Sequence, residues 1–278
     1  MQKWMQKWPS SLMKRSSSAM APFRAAVAAA LLALVCATAF AIEDRADTEP
    51  NEAVGSGRTV AWKLTPSLYR ETAGRSAFDL NLRGNRDNDT FWIGHYQRGS
   101  EFQQARAGYE RQLSVPFGRV IASGQYASHG FWGGSVTLEA SMAAIGSYVG
   151  LLGWGRTNLK PYYNPNFDPN DSVLIGAGWR PDDETAVTVF QIRDDRLRTG
   201  QRVTHFVLRK KTSRRSRWTL DLFNRYGRSE PGPDSELFRA TGIVITYDRE
   251  PWFARISWDP KVNYTGSDMT RMAIGIRF

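Results

Sequence analysis

The chain has 278 residues, 41% of them hydrophobic and 23% charged, with a formal net charge of +10 and one cysteine. A lone cysteine excludes a disulfide framework. The basic excess is no nucleic-acid signature either: Lys3, Lys7, Lys14, Arg15 and Arg24 stand in the first 41 residues, and without those five the charge falls from +10 to +5.

That first stretch has no acidic residue before Glu43, and its basic residues lead into an apolar run from Ala25 to Ala41 that ends Ala39-Phe40-Ala41. Basic region, apolar region and small-x-small site make a secretory signal, with cleavage expected after Ala41. The run has 17 residues, many of them alanine, at the bottom of the range that a spanning helix needs. The repeated Met-Gln-Lys-Trp at residues 1–8 leaves Met13 or Met20 as equally good initiators. Cys36 follows Val35, the wrong neighbour for a lipoprotein site, and lies within the leader, so the processed chain has no cysteine. Residues 42–58 are polar and acidic and read as a flexible periplasmic tail. The remainder, 59–278, shows no break in composition that would mark a linker.

From Thr59 onward the repeat is two, the period of a strand whose side chains alternate between faces. Val60, Trp62 and Leu64 oppose Ala61, Lys63 and Thr65; Phe78, Leu80 and Leu82 oppose Asp79, Asn81 and Arg83. Segments near 117–127, 131–139, 146–155, 172–180 and 185–193 are glycine-rich and alternate less cleanly. The pattern sharpens again at Trp218, Leu220 and Leu222 against Thr219, Asp221 and Phe223, then at Thr241, Ile243, Ile245 and Tyr247, and at Trp252, Ala254, Ile256 and Trp258. About fourteen such segments can be marked, or twelve if weak ones merge, each near the roughly 9–11 residues of a tilted membrane-crossing strand.

The final segment places Met272, Ile274, Ile276 and Phe278 on one face. Here the chain resembles the Gram-negative outer-membrane β-barrel proteins, whose last strand carries alternating apolar residues and a terminal aromatic. The resemblance implies an outer-membrane location, contact with outer-membrane lipids and lipopolysaccharide, and a last strand read by the barrel-assembly machinery. Two patterns agree. Aromatics stand near strand ends, as interface girdles do: Trp62 and Tyr69, Trp92 and Tyr96, Trp154, Trp179, Trp218 and Tyr226, Trp252 and Trp258. With the C-terminus periplasmic, the links near 156–171, 193–202, 227–237 and 259–269 are external and long, whereas those near 140–145, 180–184, 211–216 and 248–251 are short. The short link at 127–130 breaks this rule. The expected fold is all-β: one transmembrane up-and-down antiparallel barrel of 12–14 strands.

On that orientation Lys63, Asp79, Arg83, Asp221, Arg225, Arg255 and Arg277 point into the lumen. They make either a mildly anion-favouring pore or a set of charge pairs across a plugged interior. The long link offers Arg156, Asn158, Tyr162, Tyr163, Asp168, Asn170 and Asp171 as ligand contacts, and its Tyr162, Tyr163 and Phe167 could instead fold it inward as a plug. Its Asp and Asn spacing does not match an EF-hand, and Asn, Asp and Pro are also ordinary turn residues. His95, His129 and His205 lack a serine two residues on, so neither a hydrolase pattern nor a metal site is marked, and no cofactor or nucleic acid is expected. The preferred reading is passive passage of a small polar solute. A lipid-modifying acyl hydrolase or transferase, and a surface structural or binding barrel, are the alternatives.

Overall fold

A computed structural model of the chain describes residues 59–72, 74–141, 148–160, 162–163, 172–194 and 196–278. The leader and the tail lie outside the described residues. The strands are β1 (Ala61–Glu71), β2 (Ser76–Arg86), β3 (Asp89–Arg98), β4 (Phe102–Val115), β5 (Gly118–Ala127), β6 (Phe131–Ser141), β7 (Tyr148–Thr157), β8 (Ser172–Trp179), β9 (Thr185–Asp194), β10 (Arg202–Ser213), β11 (Ser216–Arg228), β12 (Leu237–Arg249), β13 (Trp252–Asp259) and β14 (Met269–Arg277). Each pairs antiparallel with its sequence neighbours, and β1 pairs with β14, so the sheet closes on itself. The seam is completed by Trp62 N–H donating to the Phe278 carbonyl at 2.8 Å and Phe278 N–H returning to the Trp62 carbonyl at 3.0 Å. Closure leaves no open ladder edge, which a sheet in lipid requires.

The two faces carry opposite chemistry. Outward stand Met272, Ile274, Ile256, Leu222, Phe206, Val189, Ile175, Leu152 and Ile93, large apolar side chains that water would not hold exposed in such number. Inward stand Asp79, Arg106, Glu110, Asp221, Arg225, Asp259 and Arg271, all buried. An apolar outside and a charged inside is the arrangement that a bilayer selects.

Aromatic rings pack over inward glycines on the neighbouring strand. A Cβ on Gly108 would stand 2.0 Å from a ring carbon of Trp92, and one on Gly275 would stand 2.1 Å from the Phe253 ring. Only glycine leaves room for these rings to lie against the wall. This corrects part of the girdle reading: Trp92, Tyr96 and Tyr69 are buried inside the barrel, not set at an interface. Trp154, Trp179, Trp218, Trp252 and Trp258 do stand exposed on the outside.

With the C-terminal end of β14 periplasmic, the links at 158–171, 195–201, 229–236 and 260–268 are external and long, and those at 87–88, 116–117, 214–215 and 250–251 are tight turns. The external links at 72–75, 99–101 and 128–130 are short as well. The external links are therefore short over β1–β6 and longer from β7 to β14.

Candidate functional site: the lumen and its constriction

Two external links turn into the barrel. After β7, Asn158 clasps the neighbouring turn: its Nδ2 donates to the Gly130 carbonyl at 2.8 Å and its Oδ1 accepts from Trp132 N–H at 3.3 Å. Tyr162 and Tyr163 then stand inside the barrel. Tyr162 stacks on Phe131 of β6 (centroids 4.2 Å apart, rings inclined 16°), and its hydroxyl donates to Gln125 Oε1 at 3.2 Å. Tyr163 stacks on Tyr96 of β3 (3.4 Å, 17°) and meets Tyr69 of β1 edge-on at 6.3 Å. Its N–H donates to Gln104 Oε1 at 2.9 Å. Burial is the main cause that pushes the Tyr163 phenol up to about 12, and burial also raises that of Tyr162. The 260–268 link enters opposite: Val262 joins Tyr69, Ala77, Tyr96 and Met269, while Tyr264 packs with Val203, Phe223, Phe238 and Val244.

Charges around this plug are paired. Arg106 reaches Asp79 at 2.6 Å and Arg225 reaches Asp259 at 2.5 Å, all four side chains almost wholly buried. Arg225 also donates to the Pro260 carbonyl at 3.1 Å, tying the infolded link to β11. His205 Nδ1 lies 3.0 Å from Asp221, with its ring stacked on Phe190 (4.5 Å, 6°). Such pairs hold the interior by compensating each buried charge, and removal of one partner is what costs most.

The periplasmic half differs. Its inward strand residues include Lys63, Arg83, Arg119, Arg209, Lys211, Arg217, Arg255 and Arg277, against Glu110, Glu139 and Asp248. Arg277 grips Asp248 with both terminal nitrogens (2.7 and 2.6 Å), and Arg119 meets Glu139 at 2.6 Å. Lys63, Arg277 and Arg255 gather over the Phe253 ring at 4.9, 5.4 and 5.9 Å from its centroid. Eight cations facing three carboxylates give these inward strand residues a positive excess of five. A cavity of about 70 Å³ opens here, lined by Arg119, Glu139, Leu151, Thr188 and Arg209.

All seven lumen candidates thus face inward, but they divide. Asp79, Asp221 and Arg225 are locked into the paired interior, and Lys63, Arg83, Arg255 and Arg277 line the basic half. Of the link residues, Tyr162 and Tyr163 stand inside the barrel, stacked on Phe131 and Tyr96. Arg156 is not in the link: it belongs to β7, faces outward and lies 4.4 Å from the Trp154 ring. Asn158 braces the turn beside it. Asp168, Asn170, Asp171 and Phe167 lie outside the described residues. Arg106, Arg119, Arg209, Arg217, Arg271 and Glu139 were missed; the parity of Gln104, Arg106, Gly108 and Glu110 along β4 would have found the first of them.

The histidines do not converge. His95 faces outward on β3, and His129 stacks on Phe102 at 5.8 Å. Ser128 and His129, adjacent in sequence, lie in a turn and not on a strand. A positive φ of 68° at His129 turns the chain, and Ser128 Oγ lies 3.4 Å from His129 Nδ1. Among the described residues no carboxylate reaches His129, and no group of three His, Cys, Asp or Glu residues is placed to hold a metal ion.

The barrel superposes on the Acinetobacter baumannii outer membrane protein Omp33 with a TM-score of 0.52, covering 80% of this chain and 100% of that one at 8% identity. The fold is that of the outer-membrane β-barrels. Salmonella typhi OmpF, in a complex with daunomycin, aligns over 79% of this chain and 97% of its own at 9% identity (TM-score 0.43). A mutant of the Rh. blastica porin aligns over 79% and 98% at 10% identity (TM-score 0.42). No family model matches the sequence, and no curated protein does.

Proposed function

We propose that this outer-membrane barrel is a narrow passive channel favouring small anions, with the segment after β7 as its constriction. The observation that carries the reading is the pairing of an infolded Tyr162–Tyr163 constriction with a periplasmic half whose inward cations outnumber its carboxylates. Fixed positive charge in a confined lumen raises the local anion concentration and lowers the anion's entry barrier. The stacked rings set the bore, and the Arg106–Asp79 and Arg225–Asp259 pairs hold the wall around them. We place the exported chain in the outer membrane after cleavage behind Ala41, with Met272, Ile274, Ile276 and Phe278 as the signal that the barrel-assembly machinery reads.

The test is conductance of the purified, heat-modifiable protein in planar bilayers. Discrete small steps are expected. Silence from protein shown to be folded would sink the channel and leave the second reading that the filled outer half supports: a closed barrel with a structural or binding role at the surface.

A further inference from the structure

The outside of β9–β12 changes from apolar to polar to basic toward its external ends. Cross-strand register sets Val189, Phe206, Leu222 and Ile243 side by side in an apolar row. One step toward the external ends, the row is Gln191, Thr204, Asn224 and Thr241; one step further it is Arg193, Arg202, Tyr226 and Arg239. The polar row is knitted together: Gln191 Nε2 donates to Thr204 Oγ1 at 2.6 Å, and Asn224 Nδ2 to Thr241 Oγ1 at 3.0 Å. In the basic row Arg193 Nε donates to Gln191 Oε1, and the Arg202 guanidinium lies 4.3 Å from the centroid of the Tyr226 ring. Arg239 flanks the same tyrosine from the other side.

This row stores a conflict. Arg193 and Arg202 are direct register partners on one face, and like charges placed opposite each other on adjacent strands destabilise the pair. All three arginines are exposed, neither row contains a carboxylate, and none of the three arginines forms an ion pair with another described residue. The nearby Asp194 is occupied with the N–H groups of Arg196, Leu197 and Thr199. An anion from outside the chain would resolve the repulsion.

Position says where that anion comes from. Trp218 and Tyr226 are eight residues apart on the outward face of β11, which at about 3.3 Å per residue and a tilt near 40° spans about 20 Å across the membrane. Trp218 marks the periplasmic border of the apolar band, so the arginines stand at its external border, level with lipid headgroups.

We infer that Arg193, Arg202 and Arg239 form a binding site for the phosphates of an outer-leaflet lipid, a phosphorylated, acylated glycolipid. Guanidinium forks match phosphate oxygens in paired hydrogen bonds. The amides and hydroxyls of Gln191, Thr204, Asn224 and Thr241 face the ester and amide linkages below the phosphates, and the apolar row takes the acyl chains. The site requires the membrane orientation only, so it stands whether or not the lumen conducts.

The experiment measures binding of bis-phosphorylated lipid A to the purified, delipidated protein by native mass spectrometry and by the rise in melting midpoint. The expected result is saturable binding that weakens about tenfold or more in R193Q/R202Q/R239Q, with the corresponding triple-lysine variant in between. Dephosphorylated lipid A should bind the wild type no better than lipid A binds the glutamine variant, and inorganic phosphate should not raise the melting midpoint. Both variants should keep heat-dependent gel mobility, since the substitutions relieve or preserve a repulsion and open no core. Equal binding by wild type and the folded glutamine variant would overturn the site, as would equal binding of the dephosphorylated lipid. Stabilisation by inorganic phosphate alone would make it a free-anion site instead. Self-association lost in the variant without any change in lipid binding would make the row a subunit contact.

Discussion

Replacing Tyr163 by alanine tests the constriction directly. The substitution removes the stack on Tyr96 and the edge contact with Tyr69 but keeps the backbone N–H that Gln104 accepts. Two aromatic contacts at about 1 kcal/mol each, with about 1 kcal/mol of apolar area, weaken docking of the segment by about 3 kcal/mol. At 1.4 kcal/mol per factor of ten, the docked-to-undocked ratio falls by about a hundredfold. The barrel ladder is untouched, so heat-dependent mobility should not change. Single-channel recording should then show larger steps, or long dwells in a larger step, and Y162A/Y163A should show them most of the time. Step sizes identical to wild type in both variants would refute the placement of the constriction.

Three other outcomes follow from the same geometry. Alkaline pH should open the channel: the Tyr163 phenol is raised to about 12 where docked, above the value of about 10 for a free phenol, so deprotonation favours the undocked segment and conductance should climb between about pH 10 and 12, an effect that Y162F/Y163F should abolish. Asp79→Asn leaves Arg106 buried without its charge partner and should cost about 3–5 kcal/mol, read as a lower urea midpoint in detergent. Gly275→Val places a side chain where Phe253 already stands and should cost about 1–3 kcal/mol or more through overpacking, visible as loss of the heat-modifiable band, whereas Ser76→Val at an exposed strand end should not.

The sequence was most legible where the two faces differ most. In β13 and β14 the outward residues are mostly large and apolar and the inward ones mostly small or charged, so parity orients nearly every side chain, the inward Phe253 and Met269 excepted. In β3 it fails, because Phe91 and Trp92 are adjacent aromatics on opposite faces and each packs over a glycine, Trp92 over Gly108 inside and Phe91 over Gly84 outside. Glycine-rich β5–β8 have outward faces containing Gly124, Gly134 and Gly150, which blunts the alternation without breaking the ladder. The infolding of Tyr162 and Tyr163 was one of two readings and could not be chosen from the sequence, since it depends on partners 31 to 94 positions away along the chain, at Phe131, Tyr96 and Tyr69. The division of the lumen into a paired outer half and a basic periplasmic half needs the register of all fourteen strands at once. The outward arginine row is equally silent in sequence, because Arg193, Arg202 and Arg239 become neighbours only through three successive strand pairings.

The most direct single measurement is the zero-current potential of the purified barrel across a tenfold KCl gradient. A lumen with an excess of inward cations predicts a potential whose sign reports chloride moving faster than potassium, shrinking toward zero in K63Q/R255Q/R277Q. A potential of cation-selective sign in the wild-type protein would contradict the proposal.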